Sequence, residues 1–201
     1  MNISILTFEG FNELDSFIAS GILNRMKSFG WTIQITCPLD SVTSMNGVTI
    51  KAQQLLEYAN SADVVLFGSG IYTRDIAKDK TIINRLKLDT SRQLIGAQCS
   101  GTLLMAKLGL LNNLPACTDL TTKPWVIDAG VKILDQPFVA EGNIATAGGC
   151  MASQYLATWV IAKQRGIKAA KSAISYVAPV GEKETHTAHC LSIVEPFIDG
   201  I

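Results

Sequence analysis

The run Asp63-Val64-Val65-Leu66-Phe67, followed by Gly68-Ser69-Gly70, limits the possible folds more than any other segment of the chain. Four consecutive apolar residues leave no polar face for water. Such a run is typical of a parallel strand covered on both sides. Parallel neighbours need crossover connections, and crossovers are usually helices. The three small residues then form a loop at the strand's carboxyl end, where open α/β sheets collect their chemistry.

The rest of the chain supplies the alternation this requires. Residues 3–8 are β-rich, and Glu9-Gly10-Phe11-Asn12 breaks the run. A helical pattern follows over 14–26, with Leu14, Phe17, Ile18, Ile22 and Leu23 on one stripe, and Gly30 stops it. Residues 31–37 alternate as a strand ended by Pro38. A short strand is expected at 48–50, beside the turn Asn46-Gly47, and a brief helix at 55–59. Residues 81–86 read as helix, 93–97 as strand and 103–111 as helix. Residues 131–134, 138–140 and 144–147 are strand-like. Gly148-Gly149 opens a long helix over 151–164, Gly166 stops it, and a last helix is expected over 169–176. The tail from Pro179 onward carries no assignable pattern. These elements predict an α/β fold: a flavodoxin-like, doubly wound, mostly parallel sheet with helices on both faces. The chain reads as a single domain over 1–201, with 48% hydrophobic and 17% charged residues.

Charge and cysteine usage exclude several functions. Lys+Arg and Asp+Glu are both 17. Without a basic stripe or tail, the electrostatic term that nucleic-acid binding needs is missing, so no nucleic-acid partner is expected. No apolar run approaches about 18 residues, and no cationic segment precedes the first strand, so neither a membrane span nor a signal peptide is expected. The five cysteines (Cys37, Cys99, Cys117, Cys150, Cys190) are odd in number and contain no CxxC pair. A disulfide framework and a zinc ribbon are therefore not expected. Reduced thiols point to a cytoplasmic protein.

Three features fall at strand carboxyl ends and can converge: Glu13 and Asp15 after the first strand, Gly68-Ser69-Gly70, and Cys99. Strand, Cys99, then helix is a nucleophile-elbow pattern. The turn needs small neighbours, and Ala97, Ser100 and Gly101 are small. The helix start favours a thiolate. The backbone N–H groups of Ser100 and Gly70 would form an oxyanion hole. Each feature alone has a plain structural reading: Cys99 as core packing, the glycines as a turn, Asp15 as a solvated helix residue. Cys37, Cys117 and Cys150 read as packing. Tyr155, Leu156, Trp159 and Val160 read as a core or dimer face. His186 and His189 read as helix or loop surface.

The segments EGFNELD, DVVLFGSG, GAQCSGTLLMAKLGLL and TAGGCMA resemble, in order and spacing, the DJ-1/PfpI superfamily, a class I glutamine-amidotransferase-like group. NELD and TAGG resemble its isonitrile hydratase branch and the related domains fused to AraC-type regulators. The resemblance implies a nucleophilic or oxidisable Cys99, an acidic Asp15 touching its sulfur, and amide donors at Gly70 and Ser100. Ser100 stands where isonitrile hydratases usually have Thr. It keeps a hydroxyl that would orient water or substrate. Ser69 replaces the first glycine of the family's common Gly-Gly pair. Asp119 stands where many members carry the histidine beside the thiol, which disfavours a Cys-His protease.

The resemblance implies a cofactor-free, metal-free lyase that hydrates an isonitrile to an N-substituted formamide. A small-molecule substrate and a homodimer come with it. Its alternatives are a DJ-1-like redox sensor or stress-protective protein, a glyoxalase or deglycase, and a ligand-sensing domain. An Asp15–Cys99 separation beyond about 5 Å would remove the proposed acid.

Overall fold

The computed structural model describes residues 1–198. Five parallel strands carry the sheet: β1 (Asn2–Leu6), β2 (Thr32–Cys37), β6 (Val64–Phe67), β7 (Leu94–Gln98) and β9 (Ile144–Ala147). The edges are β5 (Gln54–Leu55) and β8 (Phe138–Glu141), giving the order β5-β2-β1-β6-β7-β9-β8. Only β8 runs antiparallel, against β9. A separate hairpin pairs β3 (Ser41–Thr43) with β4 (Thr49–Lys51). All four residues of β6 are buried, as its unbroken apolar sequence requires.

The helices are α1 (Glu13–Leu23), α2 (Thr73–Ile76), α3 (Lys80–Ile83), α4 (Gly101–Lys107), α5 (Lys123–Asp128), α6 (Ser153–Arg165), α7 (Ile167–Val177) and α8 (Lys183–Val194). They cover both faces, forming one core with α1, α6 and α7 and a second with α4 and α5. Helix α6 is buried almost all round, because it lies between the sheet and the outer helices α7 and α8. Leu156 of α6 sits over Gly96 of β7 so closely that a Cβ there would come within 2.5 Å of its Cδ1. Tyr155, Leu156, Trp159 and Val160 are core residues. Among the described residues no helix is long and apolar enough to cross a membrane.

Several expectations need correction. The 14–26 helix ends at Leu23 and tightens to a 3-10 helix over Asn24–Phe29, which Gly30 terminates at φ 77°. Its buried face is Asp15, Ser16, Ala19, Ile22 and Leu23, whereas Leu14 and Phe17 are 49% and 42% exposed. Asp15 and Ser16 are inside because the first turn abuts the strand ends, while Ala19, Ile22 and Leu23 farther along the same face pack into the core. Residues 131–134 are not a strand: only Ile133 bridges to Ala116, since β8 and β9 already close that edge. The helix expected at 55–59 is a 3-10 helix over Leu56–Asn60, and the 81–86 helix is the single turn α3. The hairpin strand β3 and helix α2 gave no clear periodicity.

The unassigned tail forms α8. Cys190 is buried and contacts the Thr158 hydroxyl at 3.2 Å. His186 pairs with Gln154 at 2.8 Å, and His189 meets Tyr155 at 3.3 Å. The tail thus fastens to α6, and its histidines serve that packing.

Candidate active site

The site lies where α1, the β6 loop, the β7–α4 turn and the β9–α6 turn meet. Cys99 follows β7 directly and takes φ 53°, a left-handed conformation uncommon for a residue with a side chain. The strand must reverse into α4 within one residue. Gly101 makes this possible: a Cβ there would lie 2.6 Å from Gly68 O and 2.7 Å from Phe67 O. The turn is anchored on both sides. Cys99 N–H donates to Ala147 O at 2.8 Å, and Thr118 Oγ1 donates to Cys99 O at 2.9 Å. The thiol-bearing residue is 9% exposed.

Asp15 reaches the thiol from the first turn of α1. Asn12 caps that helix through its Oδ1, which accepts from Leu14 N–H at 3.1 Å, and its own N–H donates to Ser69 O at 2.9 Å. Asp15 is completely buried. Its carboxyl group accepts hydrogen bonds from Ser69 Oγ and, at 3.3 Å, from Ser153 Oγ. Burial pushes the carboxyl above the ordinary carboxylate range, and nearby Asp119 adds to the rise; the bonds from Ser69, Ser153 and Cys150 oppose it.

Burial also raises the Cys99 thiol strongly. The negative charges of Asp15, Asp119 and Cys150 act in the same direction, against a hydrogen bond from Ser69. Ser69 thus stands beside both groups and donates its one proton to the Asp15 carboxyl group. Its sequence signal was a hydroxyl in place of glycine at a strand's carboxyl end.

The sequence reads Cys150 as packing. The structure instead brings it into the site. The ligand atoms of Asp15, Cys99 and Cys150 all lie within 4.8 Å of one another. Cys150 is half-buried, and Asn12 Nδ2 donates to its sulfur at 3.0 Å. Among the described residues these three are the one cluster with metal-ligand geometry. Two thiols and one carboxylate fall short of the four ligands of a structural zinc site.

The remaining candidates take distinct places. Gly70 N–H donates to Ser100 Oγ at 3.2 Å, and Thr73 Oγ1 lies 2.8 Å from the same hydroxyl. The Ser100 hydroxyl thus ties the β6 loop to α4, and Thr73 is a partner that sequence did not suggest. Glycine is needed at 70 because a Cβ would sit 2.5 Å from Gly10 O. Asp119 Oδ1 accepts from the N–H groups of Thr121 and Thr122 at 2.9 and 3.0 Å, while its Oδ2 is buried without a hydrogen-bond partner. Glu13 turns away and holds Ser44 and Asn46 of the hairpin. A cavity of about 620 Å³ opens beside Asp119, Gly148 and Gly149. Cys37 and Cys117 are core thiols, each pushed up to about 12 by burial.

A doubly wound sheet with a cysteine on a strained strand-to-helix turn, paired with a buried carboxyl group, defines a cysteine-centred α/β protein. Residues 1–164 match the DJ-1/PfpI family, and the chain belongs to it. No curated protein matches the sequence. Among solved structures, Schizosaccharomyces pombe DJ-1 is similar with a TM-score of 0.74 at 16% identity, over 89% of this chain and 100% of that one. A ThiJ/PfpI family protein from Pseudomonas syringae gives 0.77 at 22% identity, over 97% and 85%. Oxidized Toxoplasma gondii DJ-1 gives 0.71 at 17% identity, over 88% and 97%. At these identities the likeness is one of fold.

Proposed function

We propose that the chain is a cysteine-dependent enzyme acting on a small neutral electrophile, and that this substrate is an isonitrile hydrated to its N-substituted formamide. One observation carries the reading: the Cys99 sulfur lies within 4.8 Å of a completely buried carboxyl group, held by Ser69 and Ser153, whose protonated form burial favours. The charges acting on the thiol are all negative. Such a site suits a step that needs acid and thiol together, and it offers little to a standing thiolate.

The Cys99 sulfur bonds to the terminal isonitrile carbon while Asp15 delivers its proton to that carbon. The thiol proton passes through Ser69 to the emptied carboxylate, and the product is a thioimidate. Asp15 then gives that proton to the imine nitrogen, and its carboxylate takes one from the water that adds to the same carbon. The C–S bond breaks as the new hydroxyl group's proton passes to the sulfur, releasing the formamide and restoring the thiol. Ser153 and Ser69 serve Asp15 in either state, because a hydroxyl both donates and accepts. The Ser100 backbone N–H supports the developing charge. Its hydroxyl fixes the loop bearing Gly70, whose own N–H reaches that charge only if it leaves Ser100.

Incubation with a small alkyl isonitrile is expected to give formamide by NMR and a Cys99-linked adduct by mass spectrometry. Absence of formamide would overturn the reading, as would undiminished turnover in Cys99→Ala.

A second reading is a redox-responsive protein of the DJ-1 kind. It is favoured by the two free thiols gathered beside Asp15, and by the oxidized state named for the Toxoplasma relative. The five free thiols suit the reducing cytoplasm in either case.

A homodimer fits the apolar face formed by Phe17, Met151 and Val177, which are 42%, 61% and 44% exposed and line one shallow cavity. Light scattering is expected to give twice the chain mass, with Phe17→Asp shifting the protein to monomer. A monomer at high protein concentration would sink the dimer.

A further inference from the structure

Cys150 has no part in the hydration chemistry, yet its sulfur sits within 4.8 Å of both the Cys99 sulfur and the Asp15 carboxyl group. It is half-buried, whereas Cys99 is 9% exposed, so an oxidant entering from solvent meets Cys150 first. Burial and then the Asp15 charge push the Cys150 thiol up, and the amide N–H of Asn12, 3.0 Å from its sulfur, works against that rise. Gly148 and Gly149 precede it, and Gly149 lies at φ 92°, so its backbone can adjust. A disulfide needs the sulfurs about 2.05 Å apart. Side-chain rotation from a separation of at most 4.8 Å covers that closure.

We propose that Cys150 and Cys99 form a reversible intrachain disulfide, with a hydroperoxide as oxidant and Cys150 as the first thiol oxidised. The Cys150 thiolate attacks the terminal peroxide oxygen, the O–O bond breaks, and Cys150 becomes a sulfenic acid while the peroxide leaves as water or an alcohol. The Cys99 sulfur then displaces the hydroxyl group from the Cys150 sulfur. The S–S bond forms, the S–O bond breaks, and the Cys99 proton leaves with the hydroxyl as water. The two thiols together lose the two electrons that the peroxide gains, and an external dithiol reverses the change. The bond removes the nucleophile from use and blocks its irreversible oxidation to sulfinate. It requires only the proximity of the two thiols, whatever the substrate of the reduced site.

The test is mild hydrogen peroxide followed by intact mass and peptide mapping of the native chain without reductant. The expected result is loss of two hydrogens, one Cys99–Cys150 linked peptide, and full reversal by dithiothreitol. In Cys99→Ser, dimedone is expected to label Cys150 as the trapped sulfenic acid. In Cys150→Ser, sulfinate is expected to accumulate on Cys99. Sulfinate on Cys99 of the native chain with Cys150 still free would overturn the proposal. So would a disulfide through Cys37, Cys117 or Cys190. The native-chain measurement needs no variant to fold.

Discussion

Asp15→Asn is expected to lower isonitrile turnover by about 10²–10⁴-fold, the usual contribution of a positioned acid or base. An asparagine has the same shape and keeps polar contacts to Ser69 and Ser153, but it carries no transferable proton. A second readout does not depend on the substrate. Asp15, when ionised, raises the Cys99 thiol. The variant is therefore expected to alkylate faster at Cys99 with iodoacetamide at a given pH, read by peptide mass.

Stability gives a third readout. The folded-state carboxyl titrates above its ordinary value, mainly because it is buried. The folded chain thus holds this proton more tightly than the unfolded chain. The resulting stability is full below the unfolded-state value and is lost as pH rises through the folded-state value. Above the ordinary carboxyl value, burying this titratable group is a net cost relative to a neutral side chain. The variant is expected to melt above the native chain at pH 7, with the gap closing in acid. Each kcal/mol recovered is worth about 2–4 °C in a domain of this size. Unchanged turnover combined with lower stability at every pH would show that Asp15 is only a structural acceptor.

Gly101→Ala is expected to cost about 3 kcal/mol and about 6–12 °C in melting temperature. The added methyl group would meet the carbonyl oxygens of Gly68 and Phe67 at 2.6 and 2.7 Å. Both are backbone atoms of β6 and its loop, so no side chain can swing aside. Either α4 retreats and carries Cys99 with it, or the loop retreats and carries Ser69 and Gly70. Thiol chemistry at Cys99 is then lost together with stability. Gly21→Ala is the matched control. Gly21 lies within α1 with nothing within 4 Å of the added atom, so the change is expected to stabilise by about 0.5–1 kcal/mol. Urea denaturation reads both. A Gly101→Ala cost below about 0.5 kcal/mol would mean that the elbow is not closely packed.

The parts of this protein legible in its sequence are those set by local patterns. The unbroken apolar run of β6 demands two covered faces, and it is buried throughout. Ser100 and Gly101 after β7 permit the elbow, and Cys99 occupies it at φ 53°. Glycine at 30 and 166 ends the preceding helices as expected. The stripe on α1 holds at Ile22 and Leu23, which are buried, and fails at Leu14 and Phe17, because periodicity reports apolar spacing, not what a helix faces. That helix turns Asp15 and Ser16 inward against the strand ends and leaves Leu14 and Phe17 outside.

Long-range convergence decided the rest. Ser69 joins Asp15 across 54 residues, and Asn12 reaches Cys150 across 138. Neither pair leaves any periodic or spacing signal. Cys150 followed two glycines and looked like packing, because a cysteine's neighbours in sequence do not reveal which sulfur it will face. The sequence by itself determined that a thiol stands at the sheet's carboxyl edge. Only the tertiary structure decided its company: a buried carboxyl group, the serine bonded to it and a second thiol, brought together because four separate strand-end segments share one edge of the sheet.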